Sequence, residues 1–548
     1  MEKRKWMPWL LFAVGAVLFT VNLRNLEILM IDTRFALFVH ELAENGVAPF
    51  PQLYGNYYPD YTSIPVILMY GAARLTGSVD YLAIVLPTAL AAALLLVVVY
   101  QIGCRIHSAY YGLAAVLMTL GAYEFISIGR MVSLDVYPAL AAAIGFYLVL
   151  SAEETGKQAR LLGLVPLFAA GFLARGPIGT VVVTAVIVGF YAARGKFRAA
   201  MAWGATGAAV LAGLLLLWAH FARVYGGDEF YQDFWAMQIG SRLSSGKPPW
   251  YFFTNAMGSF AFAYPLAFAV LAALIAGRGR AFFRFDDDRK WRDIRCLAAW
   301  LLIVVLGMSV PGTKHLRYIT AAIPAAGLLA AWLLLPAAGR RFRLLGQLRR
   351  WFFRIGVWIP AALFAGLLIT AAVFRLPAVA ERIGATIQLP LLLPGLLLLA
   401  GTAAPRLLRR RLGGRRYRLL VLGALTMTIA LARVAVAEPV DQQMMSSRQF
   451  VADVEQLRAD GEVLHFAFLG PDGDENKYMI HVDRDRRFVP EYVRFKKKPN
   501  FQELRPGALI VARIDYWEKI APPELQASVV PLCRGEIGRR QCVLLRKR

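Results

Sequence analysis

The chain has 548 residues, 58% hydrophobic and 18% charged, with 61 Lys and Arg against 36 Asp and Glu for a formal net charge of +25. Ordinary soluble proteins are about 45–50% apolar, so a water-soluble globule is excluded. The basic excess does not indicate nucleic acid, because most cations sit in short clusters between apolar runs of membrane-spanning length, the pattern of a polytopic membrane protein.

The first five residues, Met1-Glu2-Lys3-Arg4-Lys5, lead into an apolar run from Trp6 to about Val21 that continues as Asn22-Leu23-Arg24 with no small-residue cleavage site. This reads as a retained first helix entering from the cytoplasm. Basic clusters at 278–295, 340–354 and 406–418 fall inside by the positive-inside rule. The segment 64–77 is apolar but short and holds Arg74. Laid along the outer interface, it leaves every basic turn inside. Crossings then fall near 6–22, 80–102, 109–128, 134–151, 160–174, 177–193, 200–221, 252–276, 296–310, 318–337, 355–374, 387–403 and 419–437. The expected fold is mainly α, with about thirteen transmembrane helices. Residues 1–438 form the membrane domain, with outer loops at 23–80 and 221–250, and 439–548 an outer domain. The first outer loop is acidic where the inner loops are basic, as a working face would be.

The tail changes character. Short β-like runs such as Val463-Leu464-His465-Phe466 and Ala508-Leu509-Ile510-Val511-Ala512 are separated by turn signals such as Arg505-Pro506-Gly507, which predicts a small α/β domain. Cys533 and Cys542 lie there. In an oxidising compartment they could close a hairpin or remain two unpaired thiols. No Cys-x-x-Cys or Cys/His metal spacing exists in the chain.

Three outer elements could carry chemistry. Asp32, in Met30-Ile31-Asp32-Thr33-Arg34-Phe35-Ala36, is costly to desolvate. It is either a general base or metal ligand, or the acid of a solvated interfacial helix that pairs with Arg34 or caps a turn. Asp135, in Arg130-Met131-Val132-Ser133-Leu134-Asp135, is either a second carboxylate on the same face or the cap of the helix that begins there. Arg175, Arg242, Lys247, Lys314 and Arg317, with Tyr318 beside the last, are cations at outer helix ends, where the positive-inside rule disfavours them. They fit either a phosphate-bearing lipid or general headgroup pairing.

Further motifs are Gly46-Val47-Ala48-Pro49, Tyr57-Tyr58-Pro59-Asp60-Tyr61, Gly171-Phe172-Leu173-Ala174-Arg175-Gly176-Pro177 and Lys314-His315-Leu316-Arg317-Tyr318-Ile319 with Pro324. In order and sidedness, the set resembles the C-type-fold membrane glycosyltransferases of the dolichyl-phosphate-mannose–protein mannosyltransferase-like group, and within it the branch that transfers aminoarabinose to lipid A. The resemblance covers the whole layout. It implies an active-site role for Asp32 and carries Asp135, Arg175 and Tyr318 over as site residues. That branch has Tyr-Phe-Glu-Lys-Pro where this chain has Tyr58-Pro59-Asp60-Tyr61-Thr62, so the acid persists at Asp60, the candidate ligand of a divalent metal ion, and the lysine does not.

The expectation is an inverting glycosyltransferase in the bacterial inner (plasma) membrane, with its N-terminus cytoplasmic and its C-terminal domain periplasmic. It moves a sugar from a polyprenyl-phosphate donor to a lipid A, glycan or protein acceptor. Asp32 and Asp135 are the catalytic candidates, the cations and Tyr318 hold the donor phosphate, and the partners are lipids, not nucleic acid. The alternative is a transporter or flippase of lipid-linked sugars, which charges at mid-membrane depth would favour; Glu124 is the main such charge.

Overall fold

In the computed structural model, the described residues are 5–240, 246–279, 282, 284, 289–335, 343–377, 388–467, 474–489, 491–493, 504–521 and 523–548. They form a helical membrane protein capped by a small sheet. Among the described residues, seven helices are long and apolar enough to cross a membrane, or eight if the bent pair at 109–129 is one span. Shorter apolar helices include Pro177–Ala193, Ala263–Arg278 and Leu392–Leu408. The expected count of thirteen therefore includes elements below spanning length.

Helix α1 (Met7–Thr20) buries only Gly15 and Phe19, as a lipid-facing span should. After a turn at Leu23–Asn25, α2 (Asp32–Asn45) is amphipathic and buries Asp32, Phe35, Ala36, Leu37, Phe38, Val39 and Leu42. A two-residue hairpin, β1 (Gln52–Leu53) with β2 (Asn56–Tyr57), follows. Helix α3 (Ile64–Thr76) has 13 residues, about 20 Å at 1.5 Å per residue, so it is too short to span. Helices α2 and α3 pack together and against α4 (Tyr81–Ile106). Asp80 caps α4 by accepting the Ala83 N–H at 2.9 Å, and 26 residues make it about 39 Å long.

Helices α5 (Ala109–Leu120) and α6 (Tyr123–Gly129) meet at 79°, and α7 (Val136–Thr155) returns from the turn that carries Asp135. Gly103 of α4 and Gly112 of α5 are in backbone contact, with a Cβ on Gly103 falling 2.5 Å from the Gly112 Cα. Small residues at such crossings let membrane helices approach closely. Helices α8 (Leu164–Arg175) and α9 (Pro177–Ala193) are joined through Gly176 at φ +72°. They cross at Gly171 and Gly179 so closely that no side chain fits between them. That crossing fixes the turn and aims Arg175.

Helix α10 (Phe197–Trp235) breaks at Gly227 (φ 72°). The chain continues through Ala263–Arg278, Arg289–Ser309, a 3-10 turn at Leu316–Ala322, Ile323–Ala331, Arg343–Gly356, Ile359–Val373, Leu392–Leu408 and Gly414–Leu431. A π-helical turn, Ala432–Ala437, closes the last span.

The tail forms the expected α/β unit. Five strands, β3 (Leu464–Ala467), β4 (Glu491–Val493), β5 (Leu509–Arg513), β6 (Val529–Ile537) and β7 (Arg540–Lys547), stand in the order β4-β3-β5-β7-β6. β3 is parallel to β4 and β5, while β7 is antiparallel to β5 and β6. Alternate side chains serve two cores. Phe466, Leu509, Val511 and Leu544 pack with Phe450 and Val454, and Ala467, Ile510, Ala512 and Val543 pack with Trp517. Leu37 of α2 belongs to the first core, so the tail is seated on the helix that begins with Asp32.

The hairpin disulfide is not formed. Cys533 pairs with Leu544 and Cys542 with Gly535, and both thiols are free. They are diagonal across β6 and β7, where residues stand about 7–8 Å apart with Cβ atoms somewhat closer, against the 3.5–4.5 Å Cβ spacing of a disulfide.

Candidate active site

Asp32 opens α2 and is 2% exposed. Its Oδ2 accepts the Tyr81 hydroxyl at 3.0 Å and the Val132 N–H at 3.3 Å. Its Oδ1 is buried with no hydrogen-bond partner among the described residues. Burial pushes its pKa up to about 7, against the lowering effect of the Tyr81 and Val132 bonds. Asp32 does not pair with Arg34, which donates instead to the Tyr58 hydroxyl at 2.9 Å. A buried carboxyl held near neutrality, with one free lone-pair face, is the arrangement a general base requires.

Asp135 precedes α7, but its side chain makes no capping bond. It pairs with Arg175 (Nε to Oδ1, 3.0 Å) and Arg317 (Nε to Oδ2, 3.5 Å). Arg175 is buried, lies 5.7 Å from the Tyr318 ring centroid and keeps Nη1 without a hydrogen-bond partner. Arg317 lies 6.0 Å from the same ring. The carboxylate thus holds two cations in place and leaves donors to spare.

Two chambers meet at this cluster. A polar one is lined by Ile31, Phe35, Tyr61, Val132, Ser133, Asp135, Arg175 and Arg317, next to the residues that hold Asp32. The other, about 180 Å³, is walled by Pro138, Pro177, Ile178, Val181, Val182, Met308 and Ala321, with Asp135, Arg175, Gln238 and Tyr318 as its polar end. An acid, a cation cluster and an oily slot are therefore contiguous. That geometry suits an amphiphile with an anionic head.

The other candidates are placed differently. Lys314 is buried, and its ammonium donates to the carbonyls of Lys247 (3.0 Å) and Pro311. Lys247 returns a bond to the Lys314 carbonyl at 2.7 Å and lies 4.5 Å from the Tyr251 ring centroid. The two lysines lace one loop to another. Arg242 lies outside the described residues. Asp60 is near enough to act electrostatically on Arg175, and its carbonyl accepts from Gln238 at 3.2 Å. Among the described residues, no three His, Cys, Asp or Glu side chains are grouped to hold a metal ion. Glu124 lies beyond the α5–α6 bend within electrostatic reach of Arg433 and Arg317, at the end of the molecule that holds Asp32.

Sequence reasoning missed Tyr81, Gln238 and a buried clamp. Arg130 donates through Nε and Nη2 to Glu438 (2.6 and 2.8 Å), and to the carbonyls of Leu18 (2.6 Å) and Val21 (2.9 Å). Arg433 also reaches Glu438 (3.6 Å) and Asp441 (3.0 Å). A charge inside an apolar turn and an acid at the end of the last run were the available signals.

Residues 65–218 match the family profile described as dolichyl-phosphate-mannose-protein mannosyltransferase. The crystal structure of ArnT from Cupriavidus metallidurans bound to undecaprenyl phosphate superposes with a TM-score of 0.68 at 18% sequence identity, over 98% of this chain and 97% of that one. The apo state of the same protein gives 0.69 at 19%, with the same coverage. No curated protein matches the chain significantly. The C-type glycosyltransferase fold expected from the motifs is the fold observed.

Proposed function

We propose that this chain is an inverting glycosyltransferase. It moves a sugar from a polyprenyl-phosphate carrier to a hydroxyl acceptor at the periplasmic face of a bacterial inner membrane. The observation that carries the reading is Asp32, a buried carboxyl with one unpartnered oxygen, bonded to Val132 in the wall of the polar chamber whose Asp135 and Arg175 also head the apolar slot. Similarity to a fold observed with undecaprenyl phosphate supports it.

Asp32 takes the proton of the acceptor hydroxyl as its oxygen attacks C1 of the sugar. The bond from C1 to the carrier phosphate breaks, and its electron pair leaves on the phosphate oxygen. In-line attack inverts the anomeric centre. Arg175 and Arg317, preset by Asp135 and the Tyr318 ring, meet the charge that grows on the phosphate, a contribution that is large when donors are fixed in advance. The slot takes the first isoprenoid units of the carrier, so the reaction must occur at the bilayer edge. Asp135 acts by holding those cations. The acceptor class, whether lipid A, another glycan or a protein, is separated by which product gains mass.

The test uses purified protein in nanodiscs with undecaprenyl-phosphate sugars and an envelope glycolipid extract. Wild type transfers sugar and Asp32→Asn does not, although it still binds undecaprenyl phosphate. Near-normal transfer by the variant would remove the general base, and carrier movement without covalent transfer would favour the flippase.

A further inference from the structure

The second unusual concentration of charge lies at the opposite membrane end. Tyr81 of α4 touches Asp32, and α4 runs about 39 Å before His107 and Ser108 lead into α5. Tyr110, at the start of α5, therefore sits a full membrane thickness from the candidate active site. Its hydroxyl is buried, with the Arg418 guanidinium close enough to donate to it.

Three arginines act electrostatically on Tyr110, namely Arg349, Arg415 and Arg418, and Arg350 acts on Arg349. They come from two elements, the amphipathic helix Arg343–Gly356 and the first turns of the last span, Gly414–Leu431. These elements pack on each other, and the last span also packs on α5. Among the described residues no carboxylate pairs with any of the four. Arg349 donates to the Leu335 carbonyl at 3.1 Å and Arg418 to the Gly414 carbonyl at 3.0 Å, bonds that neutralise nothing. The last span begins at Gly413 with no side-chain cap, so its free N–H groups add positive potential there.

Like charges brought together without counter-charge repel, and an arrangement of this kind is stable when an anion joins it. The surroundings select the anion. On the same amphipathic helix and just beyond it, Leu344, Trp351, Ile355 and Trp358 are each more than half exposed. Apolar and aromatic side chains beside guanidinium groups are the features of a helix lying in the lipid interface. A free phosphate has no use for them, whereas a phospholipid has acyl chains to place there.

We infer that Arg349, Arg415 and Arg418, together with the Tyr110 hydroxyl, form a binding site for the phosphate headgroup of an anionic phospholipid at the membrane end opposite Asp32. Each guanidinium can give paired N–H bonds to phosphate oxygens, and the tyrosine hydroxyl supplies a further donor. The inference does not depend on the transferase reading.

The test is native mass spectrometry of the full chain released from nanodiscs of phosphatidylcholine doped with cardiolipin or phosphatidylglycerol. Wild type should retain anionic lipid and release phosphatidylcholine. Arg349→Gln with Arg418→Gln should lower retained anionic lipid about tenfold, as expected for lost charge-assisted bonds. Arg409→Gln with Arg410→Gln, the same charge change at exposed arginines on the neighbouring turn, should leave it unchanged. Equal loss in both pairs would reduce the site to general surface electrostatics and overturn the proposal. Displacement of the lipid by inorganic phosphate alone would overturn it as well. If the glutamine pair does not fold, Arg349→Lys with Arg418→Lys keeps charge but not the fork, and undiminished retention there would sink the idea. Tyr110→Phe should cause a smaller loss than the arginine pair.

Discussion

Desolvation of one carboxyl sets the expected pH behaviour. Asp32 must be ionised to accept a proton, and its pKa stands at about 7. Activity as kcat/KM should therefore rise as pH climbs through 7 and level off above it, and a profile flat from pH 5 to 8 would exclude this base. Stability moves the other way. The folded chain holds the Asp32 proton more tightly than the unfolded chain does, so stability falls as pH rises from about 4 to 7. Asp32→Asn should lower turnover at pH 8 by about 10²–10⁴-fold. The same variant should melt at or above the wild-type temperature, by a margin that widens between pH 5 and 8. Arg175 and Lys314 should separate in a similar comparison. Arg175→Ala should weaken undecaprenyl-phosphate binding and slow turnover together. Lys314→Ala instead removes bonds to two carbonyls, and should lower the melting temperature with a smaller effect on carrier affinity. An unchanged melting curve with a large affinity loss would return Lys314 to the phosphate site.

Among the elements, those defined by hydropathy alone were legible. Helices α1, α4, α7 and α9 fall within a few residues of the expected runs, because a membrane demands continuous apolar stretches. The short α3 was readable from its length and Arg74. The tail strands were readable from alternation and turns, but their register was not. Register is decided by which faces bury, and β6 contains an irregularity between Pro531 and Cys533 that no spacing rule announces. Peptide mapping under non-reducing conditions should accordingly recover Cys533 and Cys542 as separate free thiols, and a crosslinked peptide would show that β6 re-registers. The candidate site was half legible. Asp32, Asp135, Arg175 and Arg317 stood out as charges in apolar surroundings. Their pairings, and the use of Lys247 and Lys314 as loop braces, are contacts across 40 to 182 residues. Such partners are chosen by packing, and the local sequence does not encode them.

For the molecule as a whole, the sidedness inferred from the basic clusters is a prediction. A reporter fused after Val440 should be active only outside the cytoplasm and one at Leu412 only inside. Activity on the same side for both would mean that the last span does not cross, and would remove the tail from α2. The tail's seating is specific. Glu27 accepts from the Ser446 hydroxyl at 2.6 Å and the Ser447 N–H at 3.2 Å, and meets His481 at 2.8 Å. Glu44 pairs with Arg484, and Tyr54 donates to Asn476, both at 2.7 Å. These contacts bind the tail to the loop that delivers Asp32, so deleting the tail should disorder α2 and cost activity without any loss of a reacting group.

The clamp at Arg130 bears on the order in which the protein is made. Its carboxylate partner, Glu438, lies 308 positions later in the chain, a delay of roughly 15–60 s at 5–20 residues per second of synthesis. During that interval a guanidinium meant for full burial has only the Leu18 and Val21 carbonyls, and water or an insertion chaperone must shield it. Closure of the pair coincides with arrival of the last span, which makes it a built-in mark of completed insertion. Glu438→Gln leaves that mark unwritten and should cost about 3–5 kcal/mol, the scale for breaking a buried ion pair. Pulse-chase labelling should then show full-length chains degraded as quickly as chains truncated before the last span.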